Sequence, residues 1–559
     1  MILARSHLRL LSDMLPTPDP DRKKQHYADG FWREETIYAL AAARAVAAPK
    51  SWAIRDRLRR LTYQQFVEAA DALAGDLRRN GLQQGDRVGI WLPSRVETAV
   101  AILACARNGY VCSPGLQRDH TVEQVLDLLQ RMLASALILE PGYGADANRR
   151  DISPGLDALA SLKSVYSLPP LEECSDRTPY GLTEPDRAPA ENDPDSVVYL
   201  PFTSGTTGEP KGVLHTDNTL LANARTIAAD WNFDDESCVY TMSPLSHNLG
   251  FGALISAIAV GGELVVHDLP KGASLLARLR ETGATFLFGV PTHAIDLLAE
   301  LRQGDTKGLP QLKGFRISGA AVPDAVCAEL LTHGITPQSG YGMTEACSHH
   351  YTLPDDPPAR ITGTSGTACD GYEIRIWSQN DPNVEAATGE IGQIGGRGAS
   401  LMLGYFQDEE STANSFNAHG FFMTGDLGAL DPDGYLKITG RKKDVIIRGG
   451  HNIYPARIES LAMRHGAVER AAAVPVGDTR LGERVCIAVT LRPGEELVPT
   501  DLLAHLDAEG LSKYDMPEFY LKLEHMPLTS NGKIMKRELN EWIERNEVEP
   551  QPVRWKAPA

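Results

Sequence analysis

The hydrophobic pattern changes period along the chain, and each change marks an element. Across 62–79, TYQQFVEAADALAGDLRR, the residues Tyr63, Phe66, Val67, Ala70, Leu73, Ala74 and Leu77 fall on one face at helical spacing. That spacing predicts an amphipathic helix. The next apolar run, RVGIWLP at 87–93, is short and unbroken, as expected of a buried strand. The alternation continues with helices near 95–108 and 121–132 and a strand at 135–140, SALILE. Further on, GELVVHD and TFLFGV read as strands around a helical pattern at 273–282. Strands alternating with helices predict an α/β fold with largely parallel sheets. The most apolar stretch, LGFGALISAIAVGG at 249–262, is shorter than a membrane span and carries glycines at both ends, so it reads as a buried helix.

The rhythm shifts near Arg441. A helix at 456–465 is followed by a strand pair around RAAAVPVGD and RVCIAVTLRPG, a helix at 499–508, a strand at FYLKLEHMP and a closing helix near 536–545. That is an α+β unit of roughly a hundred residues, a normal domain size. The pattern divides the chain into 1–440 and 441–559, with the join at 441–443.

Composition narrows the function. At 559 residues the chain exceeds one ordinary core, and 42% hydrophobic with 23% charged residues is ordinary for a globular protein. A formal net charge of −18 argues against a nucleic-acid or anionic-membrane binder, so anionic substrates would need locally concentrated positive charge. The eight cysteines are scattered without a CxxC pair, which reads as reduced thiols and not as a metal site. No signal peptide or lipidation signal is read at either end, so the expectation is a cytoplasmic enzyme.

The chemistry begins at TSGTTGEPKG, 203–212, which leaves an apolar run through glycines, hydroxyls and one lysine. Such a loop can converge backbone N–H groups on an anion. It is not a Walker loop, because Gly208 is followed by Glu209 and Pro210 before Lys211. Alone it could be a surface turn. Likewise MTE at 343–345 alone could be a helix N-cap, and RKKD at 441–444 a solvated charge run.

Taken whole, YLPFTSGTTGEPKGV resembles the phosphate-binding signature of the adenylate-forming superfamily, the acyl-CoA synthetases and their relatives. SGYGMTEA (339–346), FMTGDLGALDPDGYLKITGRKKDVIIRGGHNIYPARIE (422–459) and PLTSNGKIMKREL (527–539) resemble that family's further motifs in the same order. The resemblance implies a large N-terminal adenylation domain of sheets and helices, hinged to a small mobile C-terminal lid. It implies a reaction in two halves: a carboxylate attacks the α-phosphate of ATP to give acyl-AMP and pyrophosphate, then a thiol displaces AMP.

By the same resemblance, Thr203, Ser204, Gly205, Thr206, Thr207, Gly208 and Lys211 cradle phosphates. Gly319, Ala320 and Ala321 pass one side of the adenine, while Tyr341, followed by Gly342 and Met343, stacks on the other. Thr344 reaches the α-phosphate, and Glu345 holds Mg²⁺ with Thr203 nearby. Asp426 and Arg441 take the ribose hydroxyls, Lys443 is the hinge pivot, and Lys533 bridges carboxylate and α-phosphate. Gly449 and Gly450 line the CoA channel, with His451 where relatives often carry an acidic residue. His247 gates an acyl pocket formed by Asn248, Phe251, Phe288, Val290 and Thr292, whose apolar character suits a medium-chain, alicyclic or aryl acid. ATP, Mg²⁺, CoA and a small carboxylic acid are the implied ligands. His247-Asn248 also resembles the hydroxybenzoate-AMP ligases, which leaves an aryl-acid enzyme loading a carrier protein as the alternative.

Overall fold

The computed structural model describes residues 15–174, 178–191, 193–203, 210–303, 308–320, 322–529 and 532–555. The predicted helix at 62–79 forms over Tyr63–Arg79. Thr62 and Gln65 cap it reciprocally, and its apolar face is buried through Leu77. The run at 87–93 becomes the strand Arg87–Trp91, buried at every position. The glycine-bounded stretch becomes the helix Asn248–Val260, capped at its start by Nδ1 of His247, which accepts from the Leu249 N–H at 3.3 Å.

Among the described residues, two large sheets enclose these helices. One has nine strands, with a parallel centre formed by Trp52–Arg55, Glu263–Val266, Cys238–Thr241, Phe286–Gly289, Gly314–Ile317 and Thr336–Met343. Antiparallel strands flank that centre. The other has eight strands and a parallel centre that includes Arg87–Trp91. Helix Val96–Asn108 is buried throughout, and the largest apolar cluster runs from Val88 and Ile90 of one sheet to Val239, Leu264 and Phe286 of the other. Burial on both faces explains why these strands read as unbroken apolar runs.

A four-stranded antiparallel sheet, Tyr372–Trp377, Gly392–Gly398, Phe422–Leu430 and Leu436–Arg441, precedes the last part of the chain. The hydrophobic pattern gives no expectation for it. After the short turn Lys442–Asp444 the chain builds a separate six-stranded sheet with its own apolar core around Ile446, Val468, Val485 and Leu502. The helices expected there form over Pro455–Ala462, Pro499–Ala508 and Lys536–Glu544. All eight cysteines are buried and free.

Candidate active site

The strand Thr336–Met343 runs beside Gly314–Ile317 and turns at Thr344 and Glu345 into the antiparallel strand Cys347–Tyr351. Thr344 and Glu345 therefore sit in a tight strand-to-strand turn, and no helix starts there. The turn is tied down from behind. Its Thr344 carbonyl bonds Nε2 of buried His215 at 2.7 Å, and the Glu345 carbonyl accepts from the Met402 N–H at 2.7 Å. Burial lowers the His215 pKa to about 4, so that ring is neutral.

The Glu345 carboxylate accepts from the Tyr405 hydroxyl at 3.0 Å, and the Lys211 ammonium stands 4.8 Å over the Tyr405 ring. Burial pushes the Glu345 carboxyl above its ordinary value, against its own backbone N–H, Tyr405 and Arg441. Lys211 begins the strand Lys211–Thr216 and pairs with Thr203. The rest of the loop, Ser204, Gly205, Thr206, Thr207 and Gly208, lies outside the described residues, as does Ala321.

On the far side of the turn, Tyr341 donates to Oδ2 of Asp426 at 2.8 Å, and Nε of Arg441 lies 3.2 Å from Oδ1. Asp426 and Arg441 are in-register partners on adjacent antiparallel strands, which presents both side chains to one place. Burial raises the Asp426 pKa, against Arg441, Tyr341 and Lys533. The Tyr341 ring packs edge-on against His349 at 5.0 Å.

Lys533 reaches this group from the last part of the chain. Its turn is held by Lys533 N–H to Oγ1 of Thr529 at 3.1 Å and by Gly532 N–H to the Thr529 carbonyl at 2.8 Å. A Cβ on Gly319 would lie 3.0 Å from Cε and 3.7 Å from Nζ of Lys533. A Cβ on Gly532, at φ +75°, would lie 2.3 Å from Oγ1 of Thr292. Both positions therefore need glycine for the lysine turn to seat. Burial, with Arg441 adding to it and Asp426 opposing, lowers the Lys533 pKa to about 8. Burial and the Lys533 charge lower that of His247 to about 3, leaving a neutral imidazole.

The structure thus gathers Lys533, Gly319, His247, Asp426, Arg441 and Tyr341 around one cleft, with exposed Ala320 at its rim. A narrow cavity of about 20 Å³, room for about one water, is lined by Asn248, Phe251, Phe288, Cys347 and Ser348 among others. Phe251 stacks on Tyr199 at 3.8 Å. Val290 and Thr292 do not line that cavity; they pack against the Gly532–Lys533 turn. The reason lies in the helix Pro291–Arg302, which starts at this point and turns both side chains toward that loop. Gly449 and Gly450, at φ +59° and +86°, form the two-residue tip of an exposed hairpin. His451, beside that tip, pairs with Asp515 at 2.8 Å. Exposed Lys443 lies in the short turn that enters the last sheet. Tyr405 and His215 are additions that the sequence did not signal, since each acts across more than fifty positions on the 344–345 turn.

Glu345 offers an oxygen donor in a cleft without a carboxylate cluster. Among the described residues no group of three or more His, Cys, Asp or Glu could hold a metal. That donor set fits a hard divalent cation that takes most of its ligands from phosphate and water, as Mg²⁺ does.

Two family models match the chain. The AMP-binding enzyme model matches residues 41–406, and the AMP-binding enzyme C-terminal domain model matches 457–533. The chain is 31% identical over 530 residues to a medium-chain fatty-acid–CoA ligase of Escherichia coli, covering 93% of this chain and 92% of that one. It is 30% identical to a Streptomyces salicylyl-CoA synthase / salicylate adenylyltransferase, over 94% of this chain and 97% of that one. Among solved structures, ATP-bound MatB from Rhodopseudomonas palustris superposes with a TM-score of 0.77 at 27% identity, covering 91% of this chain and 99% of that one. Among the described residues no helix is long and apolar enough to cross a membrane.

Proposed function

The chain belongs to the AMP-binding enzyme family, and from that premise we propose that it is an ATP-dependent acid–thiol ligase that converts a medium-chain, alicyclic or aryl carboxylic acid to its CoA thioester. A carboxylate oxygen attacks the α-phosphorus of ATP and pyrophosphate leaves. The CoA sulfur then attacks the acyl carbonyl carbon and loses its proton, the acyl C–O bond breaks, and AMP leaves carrying that oxygen. The single observation that carries the reading is the seating of Lys533 against Gly319, in the same cleft as Asp426, Arg441 and His247.

Two anions must meet in the first half-reaction, and a cation already partly withdrawn from water stabilises the charge that develops between them. Lys533 supplies it at the carboxylate and α-phosphate, and Thr344 donates to the same phosphate. Lys211 and Thr203, with the loop between them, hold the outer phosphates. A Mg²⁺ ion bound through Glu345 would neutralise further phosphate charge. Asp426 exchanges its present bond to Tyr341 for the ribose hydroxyls, assisted by Arg441, while the Tyr341 ring faces the adenine. Neutral His247, fixed as a helix cap, stands at the gate of the acyl cavity without placing a second charge beside Lys533.

For the second half-reaction the last sheet turns about 441–443, with Lys443 as pivot. That motion withdraws Lys533 and brings the Gly449–Gly450 hairpin to the cleft for the pantetheine arm. Hydrogen bonds and ion pairs keep that hairpin within its own sheet in the present conformation. The division into 1–440 and 441–559 follows from this motion, and the enzyme's place is the cytoplasm, where ATP and CoA meet.

The Asn248 amide at the acyl cavity supports a second reading, in which a hydroxybenzoate is adenylated and passed to a carrier protein. One assay separates the two: pyrophosphate release from octanoate, cyclohexanecarboxylate, salicylate and 2,3-dihydroxybenzoate, each with and without CoA. Turnover of the unhydroxylated acids that rises with CoA supports the first reading. A clear preference for the hydroxylated rings, with no CoA dependence, supports the second.

A further inference from the structure

Across the nine-stranded sheet, Thr241, Phe288, Arg316 and Gln338 are successive in-register partners on four parallel strands. Their side chains therefore leave the same face. Phe288 is a wall of the acyl cavity. Arg316 is the next residue in that row, and it is fully buried at 0% exposure.

Its charge has no counter-ion among the described residues. Nη1 donates to Oε1 of Gln338, and the Tyr351 ring lies 5.1 Å from the guanidinium carbon. The hydroxyl of that tyrosine donates to the carboxylate of Asp230 at 2.7 Å. Nε and Nη2 of Arg316 have no hydrogen-bond partner among the described residues, and neither has Nε2 of Gln338 beside them. His349 adds another buried, unpartnered ring nitrogen, and burial, His350 and the Arg316 charge together hold its pKa down.

Which two nitrogens are free is informative. Nε and Nη2 form one edge of the guanidinium fork, two parallel N–H donors spaced to fit the two oxygens of a carboxylate. A Cβ on Gly340 would lie 3.1 Å from Nη2 and 3.5 Å from Cβ of Ser318, so the guanidinium lies against Gly340 of the neighbouring strand Thr336–Met343, beside the segment that runs from Arg316 to Gly319. Lys533 packs on that glycine. One short segment therefore carries a cation at each end, one at the reacting position and one beside the cavity wall.

A fully buried guanidinium with half its donors unpaired is costly in the empty protein, and a methionine of similar volume would avoid that cost. The arrangement makes physical sense when an anion arrives with the substrate. We infer that Arg316 is the receptor for a second carboxylate on the acid, so that the substrate is a dicarboxylic acid activated at one end and held through the Nε–Nη2 edge at the other. This rests on the acid-activating reading above.

The test compares octanoate with octanedioate, and cyclohexanecarboxylate with cyclohexane-1,4-dicarboxylate, by pyrophosphate release from Mg-ATP. The enzymes are the wild type, Arg316→Met and Arg316→Lys. The wild type is expected to favour the diacid of each pair by at least about tenfold in kcat/KM, since a site built for a polar group rejects the analogue lacking it. Arg316→Met should reverse the preference with the KM for ATP unchanged, and Arg316→Lys, with charge but no fork, should fall between. Wild-type preference for the monoacid in both pairs overturns the assignment, and so does a diacid preference that survives in an Arg316→Met enzyme with wild-type ATP binding. Should Arg316→Met fail to fold, the wild-type ratio decides alone. Turnover of monoacids only would sink the Arg316 assignment and spare the ligase reading, whereas no pyrophosphate from any acid would sink both.

Discussion

Replacing Lys533 with alanine should separate the two half-reactions and leave the protein at least as stable as before. Lys533 is half-buried, and its ammonium ionises at about 8 where an exposed lysine ionises at 10.5. Holding that charge in the closed arrangement therefore costs roughly 2–3 kcal/mol after allowance for its remaining exposure. The sign follows from linkage. The folded pKa is depressed below the unfolded one, so the penalty is fully present below about pH 8 and is relieved as pH rises from there to 10.5. Lys533→Ala removes the penalty, so its thermal midpoint at pH 7 should equal or exceed that of the wild type. The advantage should fade above pH 10. Adenylation loses its preorganised cation, which is worth about 10²–10³ in rate for a group of this kind. Transfer of the acyl group from supplied acyl-AMP to CoA should stay within about threefold of the wild type, because the proposed role of Lys533 is confined to adenylation. Rapid-quench measurement of each half-reaction, with calorimetry from pH 6 to 11, gives all three quantities. Equal losses in both half-reactions, or a midpoint several degrees lower, would refute the assignment and make Lys533 a structural residue.

Other outcomes follow from the same geometry. Adenylation measured as kcat/KM should fall as pH rises through about 8, where free Lys533 loses its proton, and kcat should fall at higher pH because bound phosphate favours the ammonium. Lys443→Pro fixes φ and removes an N–H at the turn into the last sheet, so adenylation should survive while CoA-dependent product formation slows at least about tenfold. Unchanged overall turnover would move the pivot elsewhere. Gly532→Ala forces a side chain into φ +75° and to within 2.3 Å of Thr292 Oγ1. It should reduce adenylation, and a paired Thr292→Ala change should recover only the steric share. Asn248→Ala should change kcat/KM for cyclohexanecarboxylate less than about threefold, but cost about ten- to a hundredfold for salicylate if the amide reads a ring hydroxyl.

What the sequence made legible was set by period. Helix Tyr63–Arg79 and strand Arg87–Trp91 were readable because burial of one helical face, or of both strand faces, writes itself into consecutive residues. The four-stranded sheet was not readable. Its second strand, Gly392–Gly398, is largely glycine, because a Cβ at Gly395 would fall 2.4 Å from Nε1 of Trp377 and one at Gly396 2.6 Å from the Tyr372 hydroxyl. Space cleared for rings on a neighbouring strand leaves no alternation in the strand that clears it. The cleft residues carried by contiguous motifs, Asp426 with Arg441 and Thr344 with Glu345, could be located from the sequence through resemblance. Tyr405, His215 and Arg316 could not, since each matters through a partner brought near only by sheet register or chain crossing. Val290 and Thr292 show the opposite limit. They lie beside Phe288 in sequence, but where the helix starts at Pro291 they pack against the lysine turn and not along the cavity that Phe288 lines.

In the proposed reaction a carboxylate is joined to the α-phosphate of ATP before any thiol takes part. Labelling both carboxylate oxygens of an accepted acid with ¹⁸O and analysing the nucleotide product by mass spectrometry tests it most directly. AMP should carry one ¹⁸O, with unlabelled pyrophosphate, because the C–O bond broken by CoA leaves a carboxylate oxygen on the phosphate. ADP as the nucleotide product, with the label in inorganic phosphate, would contradict it.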